Sequence, residues 1–79
     1  MVYHEVEIDV RGLLCPLPVL KARKRLAAMQ PGEVLRVLST DPAAAIDFPH
    51  WCGESGNELV AQEQDGDVLI FVIRKTHGK

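Results

Sequence analysis

The 79 residues contain two cysteines, and Cys15 stands immediately before Pro16-Leu17-Pro18, where helical spacing begins. Proline is tolerated in the first turn of a helix, because the N–H it lacks has no intrahelical partner there. A thiol at that junction faces the positive end of the helix dipole, which favours thiolate, the form of sulfur that acts as a nucleophile. Gly12, three residues earlier, gives the entering loop its conformational freedom. Pro16 and Pro18 also remove two first-turn donors, so only the Leu17 and Val19 amides are left to stabilise an anion. The prolines then serve stiffness more than donation. The pattern reads as a device for presenting one reactive sulfur; the competing reading is a small buried hydrophobe, a common fate of an intracellular cysteine.

The other candidates are weaker. Lys21, Arg23, Lys24 and Arg25 follow on the same helix. They make either a solvated face or a basic patch that docks an acidic partner, with Lys21, Lys24 and Arg25 opposite the apolar stripe. Arg23, nearer the stripe, is placed to snorkel. His50 and Cys52 flank Trp51, but residues two apart on a helix do not face one another, so they form no nucleophile pair. A metal centre would need further ligands from Cys15, His4 or His77 and lacks C-x-x-C spacing, so none is expected. Cys52 remains a possible secondary thiol. Phe48 and Trp51 read as core or rim packing. Glycine-rich phosphate loops, H-E-x-x-H, nucleophile elbows and paired carboxylates are all missing, so any chemistry runs on sulfur.

The elements that must position Cys15 follow from the period of the apolar residues. His4, Val6, Ile8 and Val10 alternate with Glu5, Glu7 and Asp9, which predicts a half-buried strand ended by Arg11-Gly12. From Pro16 to Gln30 the period lengthens: Val19, Ala22, Leu26 and Met29 make one helical face, closed by Pro31-Gly32. Glu33 to Ser39 reads as a more fully buried strand. Asp41 is placed to cap a second helix with Pro42 at its first position. Pro49 should kink or restart that helix, and Gly53 to Asn57 should form its loose end. Glu58–Gln64 and Val68–Lys75, joined by Asp65-Gly66-Asp67, predict a hairpin.

The expected fold class is therefore α+β, a two-layer α/β sandwich of order βαβαββ. A four-stranded mixed sheet would carry both helices on one face, in a single domain spanning residues 1–79. The unbroken apolar run Val68–Ile73 would leave partly exposed hydrophobic surface on the other face. Hydrophobic residues make up 47% and charged residues 25%, which excludes disorder; a net charge of −2 gives no basis for direct nucleic-acid binding. Neither a membrane span nor a secretory signal is expected, and two cysteines are too few for a stapled secreted scaffold. The expected location is the cytoplasm.

Asp9-Val10-Arg11-Gly12-Leu13-Leu14-Cys15-Pro16-Leu17-Pro18, Met29-Gln30-Pro31-Gly32-Glu33 and Thr40-Asp41-Pro42 closely resemble the TusA/SirA-like sulfur-carrier family. Gly56-Asn57-Glu58-Leu59 and Phe71-Val72-Ile73-Arg74-Lys75 extend the resemblance to nearly the whole chain. The Cys-Pro-x-Pro box is that family's hallmark. The resemblance implies that Cys15 accepts sulfane sulfur as a persulfide, supported by Gly12, Pro16 and Pro18. It implies a donor such as a cysteine desulfurase or rhodanese, and an acceptor sulfur-relay protein or thiolation enzyme that attacks the outer sulfur. It implies no cofactor, and a carrier rather than a stand-alone turnover enzyme. Relatives serve tRNA thiolation, sulfur oxidation or cofactor assembly, and some carry a second cysteine that Cys52 resembles. Two alternatives remain: a dithiol redox module of Cys15 and Cys52, which needs their Cα atoms within about 7 Å, and a non-catalytic interaction domain.

Overall fold

Alternating and helical periods become strands and helices in the expected order. The computed structural model describes residues 5–76, and His4 and His77 lie outside them. The elements are β1 (Glu5–Asp9), α1 (Leu17–Ala27), β2 (Val34–Ser39), α2 (Ala44–Ser55), β3 (Glu58–Asp65) and β4 (Val68–Arg74). They build a four-stranded mixed sheet in the order β1-β2-β4-β3. β1 and β2 are parallel, and β4 runs antiparallel to both β2 and β3. Both helices cross between parallel strands in the same sense, so right-handed crossovers put them on one face of the sheet.

Strand parity sets what that face contains. Val6 stands opposite Leu35, which in turn faces Ile73; Ile8 stands opposite Val37, which faces Phe71. Ala22 and Leu26 of α1, with Ala44, Phe48 and Cys52 of α2, close over these side chains. The Phe48 and Phe71 rings stack at 4.5 Å, in the centroid range where aromatic pairs add to simple burial.

The open face is less exposed than the apolar run suggests. Ile70 and Val34 are buried there without a covering helix, and Val68 and Val72 are half-buried. Arg36 stands opposite Val72 and Arg74 opposite Val34, where long stems can cover apolar neighbours, the Arg36 Nε itself being buried. The two guanidinium groups pair with Glu7 and Glu58 on the two edge strands.

Both helices depart from their expected bounds for identifiable reasons. α1 stops at Ala27, three residues short of Gln30, because the amides of Ala28 and Met29 turn back to the carbonyls of Arg25 and Leu26. The buried Lys75 then takes the last carbonyls: its Nζ donates to those of Leu26 and Met29 at 2.8 and 2.7 Å. A cation there also complements the helix dipole. α2 does not restart at Pro49, nor does it loosen at Gly53; it runs unbroken to Ser55. Proline at that point removes the N–H that would bond the Ala45 carbonyl. The Gln62 side-chain amide, reaching over from β3, donates to this carbonyl at 3.4 Å. Gly56, at φ 84°, ends the helix in the left-handed conformation with its N–H bonded to the Cys52 carbonyl.

Candidate functional site

β1 and β2 end side by side, and the loops that leave their carboxyl ends are tied to one another. At the first, Asp9 accepts hydrogen bonds from the Arg11 backbone N–H and guanidinium, turning the chain out of the strand. The pairing lowers the Asp9 carboxyl to about 2. The Gly12 N–H, at φ 84°, then donates to the Thr40 hydroxyl at 2.9 Å. The Cys15 N–H donates to Asp41 Oδ2 at 2.6 Å. Asp41 is itself buried, and its Oδ1 accepts the Ala43 N–H at 3.1 Å. One carboxylate therefore fixes two things: the entry of α2 and the backbone position of the thiol. It does so from outside α2, since regular helix begins only at Ala44.

Pro16 occupies the N-cap of α1 and Pro18 its second position, after a cis peptide bond between Cys15 and Pro16. Pro18 is buried against the core, which adds a packing role to its stiffness. Of the two amides left for an anion, that of Leu17 already donates to the Leu14 carbonyl at 2.9 Å. The helix start is thus poor in free donors.

Cys15 is exposed, as a sulfur that must meet other molecules requires. It opens onto a groove of about 240 Å³ between the helices, lined by Pro16 and Val19 on one side and Asp47, His50, Trp51 and Glu54 on the other. These four positions, at spacings of three, one and three, form one face of α2. His50 Nε2 pairs with Glu54 at 3.5 Å, and the half-buried Trp51 forms the apolar floor. A second cavity of about 550 Å³ continues along the seam past Trp51 and Glu54, with Arg23, Leu26 and Ala27 on the α1 side.

The electrostatics reverse the expectation of an activated thiolate. The Cys15 thiol is held above its ordinary range, first by a hydrogen bond to the Asp47 carboxylate, then by burial and by the negative charges of Asp47 and Asp41. With first-turn donors removed by proline or already spent, the helix start offers few groups to offset the nearby carboxylates.

The remaining candidates fall elsewhere. Lys21 and Lys24 are exposed and Arg25 is half-buried, but none of them lines the Cys15 groove or the second cavity along the seam; Arg23 lines the second cavity. Lys24 and Arg25 occupy the last turn of α1, where cations suit the dipole. Cys52 sits in the core at 5% exposure, and burial pushes its thiol up to about 11. It is neither presented to solvent nor ionised at neutral pH, which removes it as a secondary reactive thiol in the folded protein. Among the described residues no three His, Cys, Asp or Glu side chains gather as a metal-holding group. No helix among them is long and apolar enough to cross a membrane.

Asp47 escapes a reading of the sequence because it lies more than thirty residues beyond the thiol whose groove it lines. The available signal is the spacing it shares with His50, Trp51 and Glu54, which marks a polar helix face needing a purpose.

Comparison with known proteins agrees with this fold. The family model described as Sulfurtransferase TusA matches residues 6–75. The chain is 42% identical over 76 residues to the sulfur carrier protein TusA of Allochromatium vinosum, covering 96% of this chain and 100% of that one. A protein of Neisseria meningitidis serogroup A is 51% identical over 69 residues, 86% of this chain and 93% of its own. The crystal structure of a SirA-like protein from Desulfitobacterium hafniense superposes with a TM-score of 0.77 at 27% identity, covering 91% of this chain and 99% of that one.

Proposed function

The chain belongs to the TusA sulfurtransferase family, and on that premise we propose that it is a sulfur carrier holding sulfane sulfur as a persulfide on Cys15. The observation that carries the reading is the contrast in access. Cys15 is the exposed cysteine, fixed by its own backbone N–H at the mouth of a groove, while Cys52 is buried.

In the first step the Cys15 sulfur, having given up its proton, attacks the outer sulfur of a persulfide on the donor. The donor's S–S bond breaks, its cysteine leaves as thiolate and takes a proton, and Cys15 now bears the outer sulfur. In the second step a nucleophile of the acceptor attacks that outer sulfur and expels Cys15 as thiolate. The sulfane sulfur is passed on unchanged in oxidation state, so neither exchange needs an external oxidant or reductant. The donor is of the cysteine desulfurase or rhodanese type, and the acceptor is a sulfur-relay protein or thiolation enzyme. A free thiol suits a reducing compartment, which supports a cytoplasmic location.

The raised Cys15 thiol fits the carrier role. A more basic thiolate is the stronger nucleophile and the poorer leaving group, so a loaded sulfur is retained until an acceptor engages it. A dithiol redox role has no support from the buried, un-ionised Cys52.

Intact mass spectrometry after incubation with a cysteine desulfurase and cysteine tests the proposal. The expected result is a gain of about one sulfur atom, removed by a thiol reductant and absent in Cys15→Ser, as persulfide chemistry requires. No gain, either with that donor or with a rhodanese and thiosulfate, overturns it. An equal gain in Cys15→Ser moves the chemistry to another residue.

A further inference from the structure

The Cys15 groove and the larger cavity form one seam between α1 and α2, joined at Trp51 and Glu54, which line both. The two ends of the seam differ in charge. At the Cys15 end, the α1 side brings only Pro16 and Val19, and α2 brings Asp47, His50 and Glu54. At the far end Arg23 lines the seam from α1, with Ser55 and Asn57 at the close of α2. Arg23 is the one lysine or arginine lining either cavity, and its guanidinium pairs with no carboxylate among the described residues. Glu54, the acid of that cavity, pairs with His50 instead. Ser55 Oγ accepts the Asn57 side-chain amide at 3.2 Å, which leaves its own hydroxyl proton to be donated. Between the ends lies the half-buried Trp51, with Leu26 and Ala27 beside it. Arg23 stands six residues beyond Leu17, the first residue of α1, which is about 9 Å of helix. An extended chain covers that span in about three residues.

We propose that this seam docks an extended segment of a sulfur-relay partner, whose reacting cysteine meets Cys15 while a carboxylate about three residues away is held by Arg23 and Ser55. The inference rests on the reading of Cys15 as the exchanging sulfur. The charge pattern selects the segment. A carboxylate beside the partner's cysteine would face Asp47, whereas at the far end it meets a guanidinium and a hydroxyl. An apolar side chain between the two lies over Trp51. A planar guanidinium binds a carboxylate through paired N–H donors, which fixes the register of the segment as well as adding to its affinity. The partner's cysteine is then brought to a sulfur that its own backbone N–H already holds in place.

Disulfide capture at Cys15 tests the dock without any sulfane sulfur. The probes are acetylated and amidated tetrapeptides, Cys-Gly-Leu-Glu and its reverse Glu-Leu-Gly-Cys. Each is supplied as its mixed disulfide with mercaptoethanol and equilibrated in excess mercaptoethanol, with Cys15→Ser as the blank. Cys15 displaces mercaptoethanol from the peptide sulfur, so one S–S bond forms as another breaks, and intact mass gives the captured fraction. In at least one of the two directions, the glutamate peptide should be captured about threefold more than its glutamine analogue, the scale of an exposed Arg–carboxylate pair. Arg23→Gln should remove that preference and leave capture of the glutamine peptide unchanged. With the acidic residue moved next to the cysteine, glutamate should be captured less than glutamine. Equal capture of glutamate and glutamine peptides in both directions overturns the proposal, as does a preference that survives Arg23→Gln. Stronger capture of a lysine analogue would give the seam to a cationic segment and overturns it too. Failure of the carrier reading is seen separately, as absence of sulfur gain in the parent protein while peptide capture still follows Arg23.

Discussion

Cys15 and Cys52 are both thiols pushed above their ordinary range, and the causes differ. At the mouth of the inter-helix groove, Cys15 is held up first by the neighbouring Asp47 carboxylate, then by partial burial and by the charges of Asp47 and Asp41. Under Phe48 and Trp51 on α2, Cys52 is held up by burial alone. A charge can be cancelled by a visiting charge, so the carboxylate part of the first restraint is reversible within the folded state. Burial is relieved only by opening the core. One fold therefore holds one sulfur at an open groove beside carboxylates and one inside the core.

Exchanging the two positions in experiment breaks or sharpens this contrast. The largest effect is on reactivity: Cys15→Ser should lose sulfur loading and neutral-pH alkylation completely while retaining its circular dichroism spectrum. Cys52→Ala should retain both; equal loss in the two variants would erase the distinction. Next comes Lys75→Met, which leaves α1 without its terminal donor and should cost about 1–3 kcal/mol in urea denaturation, the penalty for buried acceptors left unpaired. That variant should expose Cys52 to slow alkylation through opening, with little change at Cys15.

Cys52→Ala should cost about 1 kcal/mol, because removing one buried heavy atom forfeits contacts and leaves a small void, whereas Cys15→Ser should lie within about 0.5 kcal/mol. The pH profile separates the sites further. The Cys52 thiol moves from 9.0 when free to about 11 in the fold, so its contribution is complete below pH 9 and is lost as pH rises through about 11. The stability difference between parent and Cys52→Ala should narrow over that interval. The smallest effect belongs to Asp9→Asn. Its depressed carboxyl makes the stabilisation from the Arg11 pair present above the free carboxylate range and lost as pH falls towards about 2. The pair is solvent-exposed, so the midpoint of acid unfolding should move only slightly.

The order of elements was legible because the apolar period changes from two to about three and a half and back, and the exposed place of Cys15 because it precedes two prolines at a helix start. What the sequence hid was mainly tertiary. Pro49 argues locally for a break, and only Gln62, on a different strand, removes the argument by supplying a donor to Ala45. Lys75 resembles a solvated strand end, yet it shares parity with Leu69, Phe71 and Ile73 and is turned inward to a helix terminus. The sign of the Cys15 electrostatics was invisible for the same reason. The dipole is written in the helix that follows the cysteine, while the opposing carboxylates arrive from the loop after β2 and from α2.

The two ends of α1 are both secured, by Thr40 and Asp41 through the loop before it and by Lys75 beyond its last turn. The sulfur consequently has no tether on which to travel. Carriers built on a long flexible arm can move cargo between stationary sites by swinging it. Here the freight is bolted to the vehicle, so delivery requires the whole protein to leave one dock and find another. On the carrier reading, throughput is then governed by how quickly each complex lets go, and excessively tight binding to either partner would slow the relay as surely as a missing thiol.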